Sequence, residues 1–82
     1  MTVLLSKRAI NILLMLLDLE GSITTQELAE NFTVSVRTIK YDLEDIRAWF
    51  EQHDETLYSK RNKGIWLDLP DSKRLLLKNE LI

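Results

Sequence analysis

The chain contains no cysteine. Disulfides and thiolate metal sites are therefore excluded, and a single histidine, His53, leaves too few ligands for a zinc site of usual composition. Absence of cysteine is compatible with a reducing compartment. Glycine occurs only at Gly21 and Gly64, which rules out a glycine-rich phosphate loop. Long apolar runs are missing too. Leu13–Leu17 is cut off by Asp18 and Glu20, far short of the roughly 20 residues a membrane span requires. No secretory leader is evident, so the expectation is a soluble, cytoplasmic chain without membrane association. No Ser/His/Asp set has a catalytic spacing, and paired acids such as Asp54-Glu55 read as solvated surface. The chain is read as a non-enzyme needing no cofactor or metal.

What is present fits one small domain: 82 residues, 45% of them hydrophobic. Ser6 is placed to cap a first helix reaching about Leu19, with Ile10, Leu13, Leu14 and Leu17 on one face. Ile12, Met15, Leu16 and Leu19 lie off that stripe, which makes the helix apolar nearly all round. Gly21-Ser22 ends it. Thr24 with Glu27 three residues on forms a capping box, flanked by Ile23 and Leu28 at staple spacing. The same local code recurs at Ser35, with Val34 before it and Ile39 after it. Two short helices follow: Thr25 to Asn31, then Val36 to about Gln52, joined by a turn at Asn31-Phe32-Thr33, with Phe32 directed at the core. Ile39, Leu43, Ile46 and Phe50 form the inward stripe of the longer one. Such a pair reads as a helix-turn-helix, whose second helix fits a DNA major groove.

Beyond Leu57 the period changes. Ile65, Leu67 and Leu69 alternate with Trp66 and Asp68, which is strand spacing. A shorter strand at Leu57–Lys60 precedes it across the loop Arg61-Asn62-Lys63-Gly64, where glycine supplies a positive φ. Pro70 stops the strand. Asp71 or Ser72 then caps a last helix over Lys73–Leu81, whose Leu75, Leu76, Leu77 and Leu81 need something to pack on. The abrupt end after it suggests a piece of a longer protein. Trp49 and Trp66 read as core or interface residues, and His53 as solvent-exposed.

The net charge is -2, awkward for a nucleic-acid binder because phosphates are neutralised by lysine and arginine. Distribution matters more than the sum. Lys60, Arg61 and Lys63 cluster tightly, and Arg37 and Lys40 sit early in the second motif helix. Asp42, Glu44, Asp45, Glu51, Asp54 and Glu55 offset them unless they point elsewhere.

Val34-Ser35-Val36-Arg37-Thr38-Ile39-Lys40-Tyr41-Asp42-Leu43 resembles the recognition-helix signature of bacterial sugar-operon regulators, and Lys63-Gly64-Ile65-Trp66-Leu67 resembles their wing. The element order is similar to the winged helix-turn-helix: mainly α with a small β-hairpin, a three-helix core plus wing, here with a C-terminal helix. The closest resemblance is to the N-terminal DNA-binding domain of transcriptional regulators with phosphotransferase-system regulation domains (the mannitol-operon activator and BglG-type antiterminator family). DeoR-type and biotin-repressor-type domains look similar. On this resemblance residues 1–70 form the DNA-binding domain, and residues 71–82 a C-terminal helix leading into a linker or next domain.

The resemblance implies sequence-specific binding of double-stranded DNA by a transcriptional regulator of carbohydrate genes, acting as a homodimer. Arg37 is then expected at a base edge, or at phosphate, unless it pairs with Asp42 or Glu44. Thr38 suits a phosphate or a thymine methyl, Lys40 a phosphate, and Tyr41 a phosphate, the groove or the core surface. Ser35 caps its helix and can meet a phosphate there. Thr25 and Gln26 carry the same logic more weakly. Lys60, Arg61, Asn62 and Lys63 would grip the neighbouring backbone or minor groove. The alternative is a winged helix that binds protein or dimerises through its first helix and Leu75–Leu81.

Overall fold

The computed structural model describes residues 4–81. The ends of the expected domain ranges, residues 1–3 and Ile82, lie outside the described residues. The order is α1 (Lys7–Asp18), α2 (Thr25–Phe32), α3 (Val36–Gln52), β1 (Tyr58–Lys60), β2 (Gly64–Trp66) and α4 (Asp71–Leu81). The fold is mainly helical with one antiparallel hairpin, a winged helix-turn-helix carrying a C-terminal helix.

Three helices start on side-chain caps that satisfy otherwise orphaned backbone donors. Ser6 Oγ accepts from Ala9 N at 3.1 Å. Thr24 and Glu27 form the reciprocal capping box, with bonds of 3.0 and 3.2 Å. Ser35 Oγ accepts from Thr38 N at 3.1 Å. The core lies where α1, α2 and α3 meet, around Ile12, Leu13, Leu16, Leu17, Leu28, Ile39, Ile46 and Phe50, each under 2% exposed. Phe32 is half-buried at its edge, not a central plug. In α1 the buried face is Ala9, Ile12, Leu13, Leu16 and Leu17, and the expected Ile10 and Leu14 are half-buried. The helix offers two overlapping apolar stripes. The structure buries the stripe that contains Ala9, which is fully buried.

Tyr58 pairs with Trp66, Ser59 with Ile65 and Lys60 with Gly64. On its other edge Ile65 exchanges two backbone bonds with Ile23, of 2.9 and 2.7 Å, so the wing is fastened to the segment leading into α2. The second strand ends at Trp66, earlier than the alternation to Leu69 implied. The carbonyls of Leu67 and Leu69 accept from Arg74 of α4 instead of a strand partner, at 3.2 and 3.0 Å.

Arg74 also donates to the carbonyls of Leu16, Leu17 and Leu19, at 3.4, 2.9 and 3.0 Å. The last turn of α1 has no basic residue of its own, and the guanidinium supplies the cation favoured at a helix C-terminus. Lys78 pairs with Asp18, and Lys73 lies 3.5 Å from Glu55. Of the α4 leucines Leu77 is buried and Leu81 packs partly, whereas Leu75 and Leu76 are 59% and 61% exposed. His53 is not free in solvent. Its ring stacks on Trp49 at 4.1 Å, its Nδ1–H donates to the Trp49 carbonyl at 2.8 Å, and Nε2 lies 3.6 Å from Glu80.

Candidate nucleic-acid interface

The turn between α2 and α3 is tight. Thr33 adopts a left-handed conformation (φ 55°), and Val34 N donates to the Ala29 carbonyl at 3.0 Å. This closes α2 and points Ser35 outward as the cap of α3. Ser35 Oγ also contacts Thr38 Oγ1 at 2.9 Å, so the two hydroxyls hold each other at the exposed helix start. The first turn of α3 contains no acid, leaving its positive dipole end without a carboxylate partner from that turn.

Arg37 is exposed. Its Nε donates to the Tyr41 hydroxyl at 3.3 Å, and its guanidinium carbon lies 5.8 Å from the Tyr41 ring centroid. Tyr41 is itself 56% exposed, so its ring does not cover the core. The ion pair between Arg37 and Asp42 weighed from the sequence does not form. Asp42 faces the opposite way, 5% exposed, and accepts from Arg8 Nε and Nη2 at 2.5 and 3.2 Å. That hydrogen bond, reinforced by the carboxylate's charge against a smaller opposing effect of burial, raises the Arg8 guanidinium above its usual range. One acid of α3 is thereby paired away from Arg37.

Lys40 faces the wing. A cleft of about 450 Å³ lies between the start of α2, α3 and the hairpin, lined by Thr24, Thr25, Lys40, Ser59, Lys60, Arg61, Asn62, Gly64 and Ile65. A second hollow of about 260 Å³ shares Thr25, Lys40, Ser59 and Ile65 and adds Leu43, Glu44, Arg47 and Leu57. Cations from two separate elements thus converge on one flank. Of the six acids set against them in the sequence, Glu44 alone lines either hollow.

At the wing tip Lys63 N donates to the Lys60 carbonyl at 3.1 Å, closing a turn in which Asn62 (φ 71°) and Gly64 (φ 101°) both have positive φ. Asn62 therefore has a conformational job, one that asparagine tolerates better than most side chains. Lys63 does not line the cleft. Its Nζ lies 4.4 Å from the Trp66 ring centroid, and Trp66 stacks on Tyr58 at 5.7 Å. Arg37, Thr38 and Tyr41 also lie outside both hollows, nearer the start of α3. Ser35 borders a separate hollow with Gln26 and Val36.

Sequence reasoning missed Arg47. It is exposed on α3, and its Nη2 donates to Ser59 Oγ of the wing at 3.2 Å. Seven residues separate it from Lys40, a spacing that keeps both on one helical face. That signal was readable, but nothing in the sequence brings Ser59 to meet it. Among the described residues no cluster of three or more His, Asp or Glu could hold a metal, and no helix is long and apolar enough to cross a membrane.

No curated protein matches the chain. The HTH domain family matches residues 8–65, from the first turn of α1 to the middle of β2, and so takes in the helix-turn-helix and most of the wing. On that match and this architecture, the chain belongs to the HTH domain family.

Proposed function

We propose that this domain binds double-stranded DNA sequence-specifically, as a module of a bacterial transcriptional regulator of carbohydrate (phosphotransferase-system) genes. The start of α3 enters the major groove, with Arg37 and Thr38 toward base edges and Ser35, Lys40 and Tyr41 nearer phosphates. Lys60 and Arg61 hold the neighbouring backbone, Asn62 shapes the turn from Lys60 to Lys63, and Lys63 reaches the same strand from its perch on Trp66. The observation that carries this reading is the cleft in which Lys40 meets Lys60 and Arg61, a cleft that no acid lines. The acidic total charge matters less than its placement: Asp42 is buried against Arg8, and no acid lines the cleft of Lys40, Lys60 and Arg61. The choice of sugar genes rests on the likeness of Val34–Leu43 and Lys63–Leu67 to such regulators. The regulator works in the cytoplasm as a homodimer, reading half-sites about 34 Å apart on one DNA face.

The test is selection of bound sites from random duplexes, followed by titration of the chosen site against salt. Each neutralised phosphate contributes about 0.9 to the slope of log K against log salt. Lys40, Lys60 and Arg61 together give a slope of about -3 or steeper. A flat dependence, or no enriched sequence, refutes the reading. A second reading, protein docking through α4, rests on the exposure of Leu75 and Leu76. It predicts association that is insensitive to salt.

A further inference from the structure

Arg47 lies more than two helical turns beyond the start of α3, where a side chain is ordinarily too far along to meet the DNA that the helix start enters. The wing changes that. It folds over the third turn of α3 and leaves the second hollow, about 260 Å³, between them. Arg47, Lys40 and Thr25 line this hollow with Ser59. The hollow is continuous with the larger cleft through Thr25, Lys40, Ser59 and Ile65. Arg47 is exposed, and Ser59 Oγ holds one arm of its guanidinium at 3.2 Å. A guanidinium has five N–H donors, so a single hydroxyl leaves most of its hydrogen-bonding capacity for an anion.

We infer that Arg47 is a further DNA-binding residue: it receives a backbone phosphate in the hollow between α3 and the wing, pre-oriented by Ser59. The inference rests on the DNA reading and extends it along α3. The same Arg47–Ser59 bond links α3 to the wing. Glu44, one turn earlier, borders the hollow and opposes the anion. Arg47 and Lys40 outnumber it there.

The experiment uses the whole chain, a selected duplex and binding isotherms at several salt concentrations, with thermal melting as the check on folding. Arg47→Ala lowers the steepness of the salt dependence by about 0.9, the loss of one phosphate contact. Arg47→Lys keeps the wild-type slope because the charge remains. Ser59→Ala also keeps the slope but binds several-fold more weakly, because the guanidinium is no longer pre-oriented. A wild-type slope in Arg47→Ala, or a lowered slope in Arg47→Lys, overturns the contact. Unchanged affinity in Ser59→Ala overturns the pre-orientation. A melting temperature that falls in Arg47→Ala while its slope stays at the wild-type value assigns Arg47 to stability and overturns the inference. Failure of the DNA reading itself is read separately, as a flat salt dependence of the wild-type protein.

Discussion

Replacing Gly64 by alanine would drive a methyl group into the backbone of Ile23. A Cβ built on Gly64 falls 2.5 Å from the Ile23 carbonyl oxygen and 2.7 Å from its carbon. Both are backbone atoms of the bridge that fastens the wing to the entry of α2, and neither can rotate away. The residue also has φ 101°, which a β-carbon disfavours. Gly21 supplies the internal control, since it has φ 90° but nothing within 4 Å of its virtual Cβ. Gly21→Ala therefore carries the conformational cost alone, about 1 kcal/mol. Gly64→Ala carries that cost and in addition loses the two Ile23–Ile65 backbone bonds, each worth about 0.5–1.5 kcal/mol. The total is about 2–4 kcal/mol. At roughly 4–8 °C per kcal/mol for a domain this small, Gly64→Ala should melt about 8–32 °C below wild type and Gly21→Ala about 4–8 °C below. Circular dichroism melts of both variants measure the difference. DNA titration well below either melt should show Gly64→Ala impaired and Gly21→Ala near wild type, because only the first shifts the wing against α3. Equal melting temperatures for the two variants would refute the collision argument, and with it the view that the Ile23 bridge sets the wing's position.

Two further perturbations separate stability from binding. Arg74→Met removes the donor shared by five backbone carbonyls at the end of α1 and the end of the wing strand. It should cost about 3 kcal/mol, lowering the melt by about 12–24 °C and raising hydrogen exchange in α4 first; a shift of only a few degrees would show that water replaces the guanidinium at no cost. Glu44→Gln removes the one acid bordering the hollow beside Lys40. At low salt it should tighten DNA binding by about 0.5–1 kcal/mol, roughly two- to five-fold, and weaker binding would place the duplex away from this flank.

Local code in this chain was legible wherever a residue's partner lies within a few positions. The caps at Ser6, Thr24 and Ser35 formed as read, because each bonds a backbone amide three residues on. The helix order, the inward stripe of α3 and the hairpin followed from spacing, and the positive φ at Gly64 from its residue type; the helix-turn-helix was read from the spacing and caps, the wing from the resemblance of Lys63–Leu67. What the sequence left open was every question with two acceptable local answers. Helix α1 is apolar on nearly every side, so its period could not say which stripe the other helices would bury. Alternation to Leu69 could not reveal that Arg74 would take the carbonyls a longer strand needs. Asp42 stood four residues from Thr38 and five from Arg37, and only the packing of α1 beside α3 gave it to Arg8, 34 positions away. The meeting of Lys40 and Arg47 with Ser59, Lys60 and Arg61 is likewise a tertiary fact. Short-range hydrogen bonds and helical periodicity are written along the chain, whereas the pairing of charges and the shape of the cleft depend on which surfaces come together when the core closes.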